Sequence, residues 1–156
     1  MANWIKIIAN KWWFKDSEQE VDLDSLVKGE GITGFATEAY VDAEIDKEGL
    51  YLTTIASSAT PTPARASKRN MFTVTALSDA TATFAVPSGT PLEGDILFIR
   101  IKDNGAARAL AWNAIYRVGT DIALSLTTVA GKTMYLGFIY NFTDTKWDLV
   151  ALCDGF

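Results

Sequence analysis

The sequence predicts a mainly β protein: an antiparallel β-sandwich of the jelly-roll kind, preceded by a short α-helical neck and an extended N-terminal segment. Three observations carry this reading. From residue 50 onward, apolar and polar side chains alternate with a period of two in nine short runs. Turn-forming residues separate those runs, with no long helical pattern between them. Residues 131–156 (GKTMYLGFIYNFTDTKWDLVALCDGF) then close the chain with two apolar runs around one polar turn.

In chain order, residues 1–34 form the first part, 35–49 the second and 50–156 the third. Trp4, Ile5, Ile7, Ile8, Trp12, Trp13 and Phe14 crowd aromatic and β-branched side chains into a few positions, and Asn10 and Lys11 can turn them into a small hairpin. A lone two-stranded hairpin is marginal in water, so this surface must pack on something. Either it folds back on its own domain or it docks against another protein, where tryptophan is favoured at interface cores. The docking reading singles out Trp4, Ile7, Ile8, Trp12, Trp13 and Phe14. Residues 16–24 (DSEQEVDLD) are acidic and read as a solvated stretch, and Gly29, Gly31 and Gly34 mark a flexible connection. Residues 29–34 spell GxGxxG, yet no buried strand leads in and Glu30 would repel a pyrophosphate, so a nucleotide site is not expected.

Thr37 is suited to cap a helix over residues 38–48, with Glu38 in its first turn and Gly49 as its stop. Tyr40, Val41 and Ile45 give it a narrow apolar stripe. So short a helix is not stable alone and needs a partner surface, either its own β-domain or copies of itself.

The strands expected next are residues 50–56, 71–76, 81–86, 95–101, 107–112, 115–118, 122–128, 133–140 and 146–152. Residues 60–70 (TPTPARASKRN) lack periodicity and read as an exposed loop or arm. Asn104-Gly105 is the strongest hairpin signal. In the final run, Met134, Leu136, Phe138 and Tyr140 alternate with Tyr135, Gly137 and Ile139, which makes both faces apolar and the strand central. Residues 141–146 supply the turn, and Cys153, beside Leu152, reads as a small core or near-core residue.

The closing hairpin resembles that of a β-domain found in bacteriophage tail-fibre and other virion-surface proteins. Residues 95–101 (DILFIRI), 110–117 (LAWNAIYR) and 119–130 (GTDIALSLTTVA) extend the likeness, and residues 35–42 (FATEAYVD) resemble the short helical neck before many phage fibre heads. The resemblance implies a virion structural protein made in the bacterial host cytoplasm, displayed on the virion surface and assembled as a homotrimer. The N-terminus would attach to other virion proteins, Tyr40, Val41 and Ile45 would meet their copies in the neck, and the β-domain would adhere to a host surface glycan or protein. No long shaft precedes the head, so a head decoration or collar protein with no receptor role is the alternative within this class. Outside it stands a soluble carbohydrate-binding module.

Composition bounds the chemistry. The chain has no histidine and one cysteine among 156 residues, which removes the commonest general base and the usual zinc ligand sets, and no cofactor or metal is expected. A net charge of −5 argues against a nucleic-acid surface. That charge is uneven: residues 1–60 carry −6 and residues 61–156 carry +1. No run of eighteen apolar residues and no secretory leader is visible, so membrane insertion is not expected. The acids of the β-region sit mostly at turns, where structural roles prevail, so no catalytic residue is assigned. Among the aromatics, Trp112, Tyr116, Tyr135, Tyr140 and Trp147 are mostly needed for a core, whereas Phe142, on the turn, is the candidate exposed contact.

Overall fold

The computed structural model describes residues 49–156 and, before them, the backbone of three strands. The chain divides into two compact units, Met1–Ile45 and Asp46–Phe156.

In the first unit, β1 (Ile5–Ile8), β2 (Lys11–Phe14) and β3 (Gln19–Asp22) form an antiparallel sheet in the order β1-β2-β3. The expected small hairpin is present, with Ile7 opposite Trp12 and Lys11 already within β2. Residues 19–22 of the acidic stretch supply β3, which pairs Val21 with Trp12 and Glu20 with Trp13. Backbone hydrogen bonding to a strand of aromatic residues outweighs the poor β-propensity of Glu and Asp. The neck helix, the glycine-rich connection, Trp4, Tyr40, Val41 and Ile45 lie outside the described residues.

The second unit contains β4 (Leu50–Ile55), β5 (Arg69–Leu77), β6 (Thr81–Phe84), β7 (Ile96–Asp103), β8 (Ala109–Trp112), β9 (Tyr116–Arg117), β10 (Thr133–Asn141) and β11 (Lys146–Cys153). Six of them form one sheet in the order β4-β5-β7-β10-β11-β9, and β6 and β8 form a second layer. The mainly β expectation holds, but the antiparallel one does not: β7–β10 and β10–β11 are antiparallel, whereas β4–β5, β5–β7, β11–β9 and β6–β8 are parallel. Alternation has the same period in either orientation, so only the path of the connections decides it. Here irregular segments make the crossovers that helices make in α/β proteins.

Those segments are built into the second layer. Ala59 and Pro61 accept hydrogen bonds from Thr83 and Ala85, and Pro63 accepts from Ser88, so residues 59–63 run alongside β6. Proline lacks the donor but keeps the acceptor, which suits this flanking position. The expected exposed loop at residues 60–70 is therefore corrected: Pro61, Pro63, Ser67 and Asn70 are buried, and β5 begins at Arg69. The strand expected over 122–128 is likewise absent. Residues 125–128 flank β8 irregularly, with Leu110 N–H donating to Leu126 O (2.8 Å), Thr128 N–H to Arg108 O (2.9 Å), and the Trp112 indole to Ser125 O (2.8 Å).

The core lies between the layers. Phe72 and Val74 of β5, Leu97, Ile99 and Ile101 of β7, Met134, Leu136, Phe138 and Tyr140 of β10, and Trp147 and Leu149 of β11 are buried with Ala82, Phe84 and Leu110 above them. Ring contacts bind the layers: Phe84 meets Phe72 edge-on at 6.4 Å and stacks on Trp112 at 4.4 Å, and Trp112 and Tyr116 reach Phe138 at 6.2 and 5.2 Å. Each such aromatic pair adds about 0.5–1.5 kcal/mol beyond area burial.

The opposite sheet face is more open than the two-sided apolar pattern of β10 predicts. By register, Leu52, Met71, Phe98, Gly137 and Ala151 form one row across it. Leu52 is 63% and Phe98 43% exposed. A Cβ on Gly137 would sit 3.3 Å from Phe98 Cε1, so the missing side chain lets the Phe98 ring lie against β10. Cys153 pairs with Tyr135 near the end of β11 and is exposed, which corrects its expected place in or near the core. A further correction concerns Asn104-Gly105. Gly105 takes a φ of +99°, as a tight turn requires, yet β7 and β8 do not pair; the turn carries the chain from the large sheet to the second layer.

One loop contact is tightly constrained. Gly89 has a φ of +86°, and a Cβ there would lie 2.3 Å from the Arg65 carbonyl oxygen. The same loop pair shares the Arg65 N–H to Ser88 O bond (2.9 Å) and the Arg65 to Asp95 ion pair (2.6 Å), whose carboxylate is buried. Gly89→Ala combines left-handed strain of about 1–2 kcal/mol with a backbone clash, and is expected to destabilise by about 3 kcal/mol in urea melts. Gly94→Ala, at a φ of +78° with open space around it, should incur only the strain.

Candidate functional site

The closing hairpin is the candidate site, and its geometry begins with β10–β11 pairing. Asn141 is opposite Lys146, leaving a four-residue connection rather than the five or six expected, with Thr145 at a φ of +54°. Asn141 Oδ1 accepts the Asp144 N–H at 3.0 Å, and Thr145 N–H donates to Phe142 O at 3.3 Å. This is the local bonding that favours Asn and Asp at turns.

Distant residues fasten this turn on two sides. On one, Phe142 N–H donates to Glu93 Oε2 at 2.7 Å, Gly94 N–H to Tyr140 O at 3.0 Å, and Tyr140 N–H to Asp95 O at 2.9 Å. On the other, the Arg117 guanidinium forks onto both oxygens of Asp148 (2.6 and 2.8 Å) and reaches Asp144 Oδ2 at 2.7 Å. Lys146 Nζ donates to Ala114 O at 2.8 Å. Two-point guanidinium contacts fix geometry as well as charge. The hydrogen bond from Arg117 outweighs partial burial and holds the Asp148 carboxyl below the usual carboxylate range, and the two carboxylates raise the Arg117 pKa.

Phe142 projects from this braced turn with 58% of its surface exposed, and Leu92, beside Glu93 in sequence, is 52% exposed. The other aromatics considered from sequence lie elsewhere. Tyr116, Tyr140 and Trp147 are buried, and Trp112 and Tyr135 are half-buried. Tyr116 donates its hydroxyl to Ala85 O at 3.0 Å, and burial pushes its pKa up. Ile7, Ile8, Trp12, Trp13 and Phe14 fall on β1 and β2, in a unit separate from the hairpin's.

The turn acids have structural partners. Asp79 accepts the Ser57 hydroxyl, Asp95 pairs with Arg65 and accepts Leu92 N–H, and Asp121 accepts the Thr120 hydroxyl. Asp144 and Asp148 do converge, but on Arg117 between them. A general acid for glycoside cleavage needs a raised pKa, and Asp148 is shifted the other way. Among the described residues no cluster of three or more metal-ligating side chains occurs, and no helix is long and apolar enough to cross a membrane.

Sequence reasoning missed Arg117 as the clamp, because its partners lie 27 and 31 residues away. It also missed the outward set of β7, Phe98, Arg100 and Lys102, although their shared parity in residues 96–102 was a usable signal. No protein-family model and no curated protein matches the sequence. The fold and the site together define a mainly β protein with two layers and a braced, aromatic-tipped closing hairpin.

Proposed function

We propose that this chain is a non-enzymatic structural component of a bacteriophage virion: a short trimeric fibre or spike, anchored by its N-terminus, that displays a β-sandwich to the host surface. The observation that carries the adhesion role is Phe142, an apolar ring presented on a turn that Glu93 braces on one side and Arg117 on the other. Ordering a loop in advance reduces the entropy lost on binding, so a braced turn suits a contact surface. The sandwich reading draws support from residues 59–63 and 125–128, which widen the β6–β8 layer over the large sheet. Trimer formation draws support from the exposed row around Leu52 and Phe98, since contiguous apolar surface favours association.

The test is adsorption of particles carrying Phe142→Ala. The turn's hydrogen bonds to Phe142 are made by its backbone, so the variant should assemble and melt like the parent while host adsorption slows at least tenfold. Unchanged adsorption removes the tip contact. A single 17 kDa species in sedimentation at micromolar concentration removes the trimer and favours the binding-module alternative.

A further inference from the structure

The open face of the large sheet holds a second feature, far from the hairpin tip. A recess of about 280 Å³ is lined by Val74, Thr75, Arg100, Lys102, Thr133 and Tyr135. Arg100 and Lys102 are two positions apart on β7, so they project from the same face about 7 Å apart. Register places Tyr135 opposite Arg100 and Thr133 opposite Lys102. Among the described residues no carboxylate pairs with either cation.

The rim is fixed. Phe156 exchanges two backbone hydrogen bonds with Thr133 (2.9 and 3.2 Å), and its ring meets Tyr135 edge-on at 5.7 Å. The Tyr135 ring is therefore positioned at the recess. The Thr75 hydroxyl donates to Ile55 O at 3.2 Å, which leaves its lone pairs able to accept.

We propose that this recess binds one carboxylate-bearing sugar unit. Two cations on one face, with no carboxylate partner among the described residues, call for an anion, and the arginine fork matches a carboxylate. Threonine hydroxyls and a tyrosine provide the polar partners and ring surface that a sugar uses. The volume of about 280 Å³ falls just below the roughly 300–1,000 Å³ of sites for drug-sized molecules, which suits a single ring. The site stands on its own geometry and does not require the adhesion role of Phe142. Thr133 opens β10 and Phe142 follows its last residue, Asn141, so the two ideas fail separately.

The test is calorimetric titration of the full chain with trigalacturonate, beside the neutral trigalactose and a triglutamate peptide. Trigalacturonate should bind, weaken with added salt, and lose at least tenfold in affinity in Arg100→Gln and in Lys102→Gln, while Phe142→Ala binds like the parent. Both substitutions lie outside the core, and an unchanged melting temperature confirms the fold. Absence of trigalacturonate binding overturns the proposal, as does unchanged affinity in the Arg100→Gln, Lys102→Gln double variant. Equal binding of trigalactose removes the carboxylate requirement, and equal binding of triglutamate removes the sugar; either result overturns it.

Discussion

Replacing Phe138 with alanine is expected to cost about 3–5 kcal/mol of folding free energy, the range for large aromatic truncations in cores. Phe138 is fully buried in β10 and touches Trp112 and Tyr116, so its removal empties the centre of the contact between layers. The surrounding rings cannot all move inward, because Trp112 is tethered to Ser125 and Tyr116 to Ala85. Phe98→Ala is the matched control. It removes the same side chain from the opposite face, where the ring is 43% exposed, and should cost well under half as much. Urea denaturation of both variants measures the difference. Equal losses would mean that the outer face is as closely packed as the core.

Asp103→Ala is expected to destabilise by about 3 kcal/mol. The carboxylate is 2% exposed and accepts three hydrogen bonds: Gly105 N–H at 2.9 Å, Gly131 N–H at 2.7 Å and the Thr128 hydroxyl at 2.7 Å. It thereby ties the end of β7 to the 128–131 loop. Alanine leaves three donors without that acceptor, and each orphaned group costs roughly 1–3 kcal/mol when water cannot replace the partner. Asn retains one acceptor oxygen and should lose less.

The pH dependence gives a second reading of the same residue. Burial opposes ionisation of Asp103, but the bonds from Thr128, Gly131 and Gly105, with Arg108 nearby, outweigh it and lower the pKa. A carboxylate whose folded pKa lies below its unfolded value of about 3.9 stabilises the fold above that value. That contribution is lost as pH falls through the folded pKa. The gap in stability between the parent and Asp103→Asn should thus be constant from about pH 5 to 7 and shrink below about pH 4. A gap that does not change on acidification would mean that Asp103 contributes through shape alone.

How much of this was legible beforehand varies with the range of the interaction. The inward set Met134, Leu136, Phe138 and Tyr140 was readable because strand geometry sends alternate residues to one face. Phe142 was singled out for exposure because it stands on a turn between two strands. The Asn104-Gly105 signal correctly marked a turn, but chain reversal within a sheet and transfer between layers use the same local chemistry. Residues 122–128 alternate like a strand, yet their neighbour β8 offers only a short length for pairing, and a bridge between Ala109 and Thr127 is all that forms. Cys153 looked internal because Leu152 precedes it, whereas its parity places it on the outer face opposite Tyr135.

The amino-acid sequence by itself determined the β-rich class, the position of nearly every strand in residues 50–156 and the turn that bears Phe142. These depend on side-chain period and local backbone preference, which neighbouring residues suffice to specify. Only the tertiary structure decided the parallel pairings, the second layer widened by Pro61 and Pro63, the Arg117 clamp and the recess at Arg100 and Lys102. Each of those joins residues far apart in the chain, and which distant partner a strand or a charge meets is chosen by how the whole core packs.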